Sequence, residues 1–522
     1  MTRETFYITT PIYYPSGQLH IGNSYTTVAA DAAARYHRLR GKDVFFLTGM
    51  DEHGQKIQQT AESEGMTPQA YVDKMAVGVK ALWKILDISY DGFIRTTDAH
   101  HVASVQAIVQ KLYDQGDIYK GVYEGLYCTP CESFWTPAQA PDHLCPDCGR
   151  DLHKTDEDCY FFRLSHYQKP LEELFSSGTF VLPSSSANEM IRNFLEPGLD
   201  DLAITRTAFD WGIPAPFDPG HVVYVWVDAL CNYITALGYP DDPDLFNRYW
   251  PADVHLVGKD IIRFHSLIWP ALLMALGVHV PKRIFSHGWL LFGGGKMSKS
   301  KGNVVDPIVL ADRYGVDAIR YFLLREVPFG SDGNFSNQAL IERINSDLAN
   351  DLGNLVSRTA AMIVKTFPNG IPDERLEEKI DVELDDLADK TLTSVESHLE
   401  KLEFSLALEA IWALIGQCNK YIDLTTPWIL ARDETDHPRL AAVLYTLSDN
   451  LRRIAVMISP FMTRTSALIR DRLGIPETDD VTWESAAKRD LYVANPNVYK
   501  GGAIFPRIDM EKELEALEEY TP

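Results

Sequence analysis

TFYITTPIYYPSGQLHIGNSYTTVAADAAARYHRLRGKDVFFLTG, residues 5–49, decides the fold. Its first ten residues are mostly β-branched or aromatic and predict a buried strand over 5–14. PSGQLHIGN is turn chemistry. SYTTVAADAAARYHRLRG predicts a helix, with Asn23 or Ser24 as its cap and Gly41 just past its end. DVFFLTG predicts a second strand. Strand, helix and strand within about 45 residues make a βαβ unit, and such units build parallel sheets. HVVYVWVDAL (221–230) and DVHLVGKDII (253–262) predict later strands of the same sheet. An insertion without strand–helix alternation separates the two halves. From residue 336 Leu340, Ile344, Leu348, Leu352 and Leu355 recur at helical spacing. Further helical stretches at 384–402, 404–424 and 438–471 predict an all-α bundle. The tail EKELEALEEY predicts an acidic helix. The expected domains are 1–118 and 221–335 as two halves of one α/β unit, 119–220 inserted between them, and 336–522 helical.

The chain has 522 residues, too many for a single core. No run of about 18 apolar residues occurs, which argues against a membrane span. The opening residues lack a signal-peptide pattern, so a cytoplasmic protein is expected. A formal net charge of -24 argues against a protein that coats nucleic acid without selectivity. It leaves room for a local basic site, and GGGKMSKSKGN (293–303) supplies one. Three lysines, Lys296, Lys299 and Lys301, sit among glycines that let backbone approach a ligand. A solvated turn is the plain reading, and a phosphate-binding loop the sharper one. It is not a P-loop, because Met297 follows Lys296 and Leu290 fills the upstream glycine position. LHIGN (19–23) falls in the turn after the first strand, where open α/β sheets bind ligands. There the helix start offers free N–H groups, Gly22 lets a nucleotide lie against the backbone, and His20 can donate to phosphate oxygen.

Taken together, LHIGN and KMSKS resemble the paired HIGH and KMSKS motifs of the class I aminoacyl-tRNA synthetases. KMSKS matches in five contiguous residues, whereas Asn23 stands where HIGH has its second His. TTPIYY, TGMDEHG (48–54), AFDWGIP (208–214), YVWVDA (224–229) and GKDIIRFHS (258–266) resemble the methionyl branch, in that branch's order and along nearly the whole chain. The resemblance implies a Rossmann-type catalytic domain, an inserted zinc-knuckle subdomain and an α-helical anticodon-binding domain. It implies methionine, ATP with Mg2+ and tRNA(Met) as partners, methionyl-adenylate as intermediate and no membrane. His20, Asn23, Lys296 and Lys299 would be catalytic, and Gly22, Gly258, Asp260 and Lys299 would hold ATP. The methionine pocket would be Ile12, Tyr14, Asp51, Trp226, Ala229, Tyr233, Ile261 and His265. Leu230 stands where bacterial relatives often have Pro. Core packing is the alternative for each aromatic.

Cys128, Cys131, Cys145 and Cys148 form two Cys-x2-Cys pairs separated by thirteen residues. Four thiolates at such spacing suit a tetrahedral structural zinc ion with no open position. Cys159, Cys231 and Cys418 are isolated and are assigned no function. Asn350, Asn354 and Arg358 recur every four residues, which puts them on one α-helical face. Base-edge hydrogen bonds or mere solvation both fit that face, as base stacking or a core place both fit Trp428. The resemblance favours anticodon reading. The insertion is too short for the large editing domain of the isoleucyl, valyl and leucyl relatives, and no pocket zinc ligands of the cysteinyl kind are present. Small nucleotidyltransferases share the HIGH logic but lack a long helical domain. A dead paralogue would have lost the KMSKS lysines. Because the chain ends without an added OB-type domain, a monomer is expected.

Overall fold

The computed structural model describes all residues except 1–2, 16, 18, 136–139, 147, 293–294, 297–304, 476–480, 494–496 and 519–522, and describes the backbone alone at Gly295, Lys296 and Glu518. Strand β1 (Thr5–Thr9) is buried from Phe6 onward. It is shorter than the 5–14 expected. Pro11 has no N–H to give a ladder, and beyond it Tyr13 makes only an isolated parallel bridge to Met50. Helix α1 (Ile21–Leu39) buries Val28, Ala29, Ala30, Ala32, Ala33 and Ala34, small side chains that let it lie close to the sheet. Strand β2 (Asp43–Met50) pairs in parallel with β1, Thr5 opposite Asp43 through Thr9 opposite Leu47. The βαβ unit is therefore present. Strand β3 (Gly92–Arg95) lies beyond β2.

The chain then leaves the sheet. Strand β4 (Ile118–Cys128) pairs antiparallel with β6 (His153–Phe162), and β5 (Ser133–Trp135) covers the other edge of β4. The short strand β7 (Val181–Leu182) returns to the central sheet. Two further parallel strands, β8 (Val254–Gly258) and β9 (Ile284–His287), complete the order β3-β2-β1-β8-β9-β7. The strand expected over 221–230 is absent: only Val222–Val223 are extended, and helix α2 follows at Val225–Thr235. Every α2 residue but Trp226 is buried, so neither the two-residue nor the 3.6-residue alternation shows in the sequence.

Helix α3 (Val316–Arg325) leads into the helical third. A wider π-helical stretch, Ile344–Gly353, runs into α4 (Asn354–Thr366). Helices α5 (Lys379–Glu400), α6 (Phe404–Thr425) and α7 (His437–Ile458) form the bundle, with α8 (Thr463–Arg472) and α9 (Met510–Glu518) after it. The helix expected over 438–471 is two helices, since the peptide N of Pro460 cannot continue the ladder. Among the described residues no helix is long and apolar enough to cross a membrane.

Candidate active site and metal centre

The sheet order contains a switch point. From β1 the chain steps to β2 and β3 on one side, while β8 and β9 lie on the other. A crevice opens at the carboxyl ends of strands so arranged, and ligands of open α/β sheets bind there. Both sequence segments singled out for a nucleotide flank it: LHIGN follows β1, and Lys259–Ile261 follows β8.

His20, not Asn23 or Ser24, is the cap of α1. Its Nδ1 accepts from the Gly22 N–H at 3.1 Å, and Asn23 Oδ1 accepts from the His20 N–H at 3.1 Å. The pair forms a capping box. Because Nδ1 is an acceptor here, the neutral ring carries its proton on Nε2, a donor suited to an anion. A β-carbon at Gly22 would lie 2.9 Å from the His20 ring, so glycine is required for the ring to fold back. Across the crevice, Asp260 is exposed and its Oδ1 accepts from the Trp289 indole N–H at 3.3 Å, while Gly258 ends β8. Lys299 lies outside the described residues, and Lys296 is described only as backbone, in a two-residue strand opposite Leu291.

Of the residues expected to hold an amino acid, Trp226, Tyr233, Ile261 and His265 are linked directly. The Tyr233 hydroxyl and His265 Nε2 are 2.7 Å apart, and His265 Nδ1 is 3.0 Å from the Ile261 carbonyl. The Trp226 ring lies edge-on to His265 at 6.3 Å and stacks on Phe264 at 3.8 Å. Ile12 packs by Gly49, and Ala229 is buried on α2. Asp51 is buried, and its Oδ1 finds no hydrogen-bond partner among the described residues. Burial first, then Asp228, Glu132 and Glu52, holds its carboxyl well above the ordinary range. A cation placed there would relieve that.

The four expected cysteines converge, their sulfurs all within 4.8 Å of one another. Cys128 Sγ and Cys148 Sγ are 3.6 Å apart, close to the ~3.8 Å edge of a tetrahedron built on Zn–S bonds near 2.3 Å. The donor set and its spacing fit a metal ion. Cys159, Cys231 and Cys418 are buried and stand apart from this cluster.

Residues 6–160 and 149–360 match the family model described as tRNA synthetases class I (M), and residues 381–485 match the anticodon-binding domain of tRNA ligase. The methionine–tRNA ligase of Clostridium tetani is 59% identical over 519 residues, 99% of this chain and 80% of that protein. The chain belongs to the class I methionyl-tRNA synthetases. The methionine–tRNA ligase of Bacillus subtilis is 51% identical over 525 residues, 98% of this chain and 79% of that protein. Among solved structures, Mycobacterium tuberculosis methionyl-tRNA synthetase in complex with methionyl-adenylate superposes with a TM-score of 0.92 at 42% identity, covering 97% of this chain and 100% of that one.

In the helical third of this synthetase, Asn350 and Asn354 are exposed, and Arg358 is half-buried. The π-helical winding through Ile344–Gly353 widens the turn, so Asn350 precedes the α-helical spacing that begins at Asn354. Arg358 bonds to Asp423 at 3.1 Å, and its guanidinium lies 5.8 Å from the ring centroid of Trp428, which is 44% exposed. Exposure settles the plain alternative for Trp428: it is not a core residue.

Two groups escaped the sequence reading. Beneath the pocket, Asp228 on α2 binds His53 at 2.7 Å and His101 at 2.8 Å, all three buried. Burial works to raise the Asp228 carboxyl, but the two imidazoles outweigh it and hold it below its ordinary value. This triad fixes α2, with Trp226, Ala229 and Tyr233, against the segment after β2. The other is Glu132, whose carboxyl burial pushes up to about 7 and whose Oε1 accepts from the Tyr14 hydroxyl at 2.7 Å. Neither has a local motif. One hint was the CTPCE run, in which an acid directly follows a metal ligand.

Proposed function

We propose that adenylate formation, the first half of the family's methionine–tRNA ligation, takes place in the crevice between β1 and β8. A methionine carboxylate oxygen attacks the α-phosphorus of ATP, a P–O bond forms, and the bond to pyrophosphate breaks. His20 Nε2, the Gly22 backbone and the positive end of α1 stand to one side of the phosphates. Lys296 and Lys299 supply positive charge to the triphosphate, and the charge that gathers on the reacting phosphate and leaving pyrophosphate is stabilised by such donors. Asn23 acts through the capping box, holding His20 in position. Gly258 and Asp260 take the ribose, Gly258 leaving the backbone open and Asp260 accepting from its hydroxyls. Mg2+ enters with ATP.

The thioether lies among Ile12, Tyr14, Trp226, Ala229, Tyr233, Ile261 and His265, a polarizable group among aromatic and apolar surfaces. Asp51 accepts from the α-ammonium. A hydroxyl of the terminal adenosine of tRNA(Met) then attacks the methionyl carbonyl carbon, an ester bond forms and AMP leaves, while the anticodon meets Asn350, Asn354, Arg358 and Trp428. Cys128, Cys131, Cys145 and Cys148 would hold a zinc ion with protein ligands alone, a structural role. The protein works in the cytoplasm.

The observation that carries this reading is the buried Asp51 Oδ1, without a hydrogen-bond partner among the described residues, together with the linked Trp226, Tyr233 and His265. Amino-acid-dependent ATP–pyrophosphate exchange across the twenty amino acids tests it. Exchange with methionine alone is expected. Exchange with another amino acid would keep the crevice and overturn the pocket, and none at all would overturn the reaction.

A further inference from the structure

We propose that Glu132 is a positioning residue for methionine: its carboxylate fixes the Tyr14 ring and ties that wall of the pocket to the cysteine knuckle. The inference rests on the reading above in which Tyr14 lines the methionine site.

Glu132 directly follows Cys131 and takes a left-handed backbone, φ +49°, which a residue with a β-carbon adopts at a cost. Its side chain is turned inward, with the residue 4% exposed. Oε1 accepts from the Tyr14 hydroxyl at 2.7 Å and from the Lys56 backbone N–H at 3.3 Å. The Glu132 carbonyl accepts from the Tyr224 hydroxyl, and the Cys131 carbonyl from the Trp226 indole N–H at 3.4 Å. Two consecutive knuckle residues therefore hold three aromatic side chains: Tyr14 from the turn after β1, and Tyr224 and Trp226 from the start of α2. The Lys56 ammonium lies 5.6 Å from the centroid of the Tyr14 ring.

The surroundings are shaped to the carboxylate. A β-carbon at Gly54 would stand 2.5 Å from Oε1, 2.7 Å from Oε2 and 2.8 Å from the Tyr14 hydroxyl oxygen. Gly54 itself has φ +116°, a conformation that favours glycine. Oε2 finds no partner among the described residues. Burying a carboxylate with one oxygen unsatisfied is unfavourable, and packing alone does not call for it. What the arrangement does achieve is orientation. With its O–H committed to Glu132, the Tyr14 side chain has one ring plane available to a bound ligand.

The test compares Glu132→Gly with Glu132→Gln and Tyr14→Phe in the full metal-loaded chain. Glycine keeps the left-handed backbone while deleting the carboxylate, and glutamine keeps an oxygen acceptor. Methionine and ATP are varied separately in pyrophosphate exchange, and methionine binding is measured by calorimetry. Loss of a buried hydrogen bond predicts that Glu132→Gly raises the methionine KM and Kd about tenfold and leaves the ATP KM within about twofold. Glu132→Gln should recover most of that loss. Tyr14→Phe should also weaken methionine, and Glu132→Gly added to it should cost little more. If Glu132→Gly does not fold, Tyr14→Phe and Glu132→Gln carry the test. Unchanged methionine affinity in Glu132→Gly or Tyr14→Phe overturns the proposal, as do multiplying losses in the double variant or a glutamine variant as impaired as the glycine one. Absence of methionine-dependent exchange in the unaltered protein would instead overturn the underlying pocket reading.

Discussion

His265 has one neutral tautomer that satisfies both its neighbours. The Ile261 carbonyl, 3.0 Å from Nδ1, can only accept, so Nδ1 carries the proton. Nε2 then accepts from the Tyr233 hydroxyl at 2.7 Å, and Tyr233 has spent its only donor. Burial pushes the imidazole down to about 4, so it is neutral under ordinary conditions. The native ring stays neutral while an unfolded one, at its ordinary 6.5, already takes up a proton. Stability from this group is therefore present above 6.5 and is lost as pH falls toward 4. Glu132 and Asp51 also titrate in this wall, so the readout belongs on the ring itself: the His265 imidazole signals in NMR should not shift from about pH 8 to about pH 5 and should move only below that. A ring that titrates near pH 6.5 would mean an imidazole open to solvent and would sink this arrangement of the wall.

Elements carry the next set of effects. Helix α1 starts inside the candidate site, so its cap serves structure and chemistry together. Asn23 Oδ1 takes the His20 N–H, a bond that alanine cannot replace. Asn23→Ala should cost about 1 kcal/mol of stability, by the usual worth of a cap, and should lower exchange because His20 loses its anchor. Asn23→Asp keeps the acceptor and should keep most of both, as melting and exchange would report. If Asn23→Ala melts like the unaltered protein, the capping box contributes nothing. The knuckle makes the opposite case, an element with too little core. Its buried cluster is Leu126, Cys128, Trp135, Ala140, Cys145 and Leu152, two of them thiols of the proposed zinc site. So small a cluster needs the ion for its folding energy. Chelation at neutral pH should open residues 128–152 to protease while the α5–α7 bundle stays protected. Protection of both would show that the knuckle stands on its own.

At the scale of the molecule, what was legible in the sequence followed from local chemistry. Strand-turn-helix order around LHIGN gave the parallel sheet, and the leucine series from Leu340 gave the helical third. The cysteine spacing gave the four-thiol cluster, whose sulfurs the fold brings within 4.8 Å of one another. Long-range facts left no such trace. Helix α2 reads as a strand because burial on all sides erases its period. Glu132 meets Tyr14 across 118 residues, and His53 meets Asp228 across 175. The junction between the α/β and helical parts is of the same kind. Arg320 on α3 is fully buried and lies 2.7 Å from Asp31 on α1, also fully buried. It donates to the carbonyls of Leu86 at 3.1 Å, Pro460 at 3.0 Å and Phe461 at 2.8 Å, so one guanidinium joins α1, the segment before β3 and the turn between α7 and α8. Burial works to raise the Asp31 carboxyl, but Arg320, Arg35 and Ser89 hold it below its ordinary 3.8. That stability is present above 3.8 and lost as pH falls through the lower folded value. Arg320→Met removes the charge and strands three carbonyls and a buried carboxylate still held by Arg35 at 2.7 Å. Breaking such a buried pair costs about 3–5 kcal/mol, a large share of a domain's stability. The first transition in denaturant unfolding should move by that order, and Asp31→Asn added to Arg320→Met should recover part of it, because an amide is cheaper to bury than a carboxylate that has lost its fully buried cationic partner and keeps only the partly exposed Arg35. A loss of under about 1 kcal/mol in Arg320→Met would show that apolar packing, not this guanidinium, holds the two parts together.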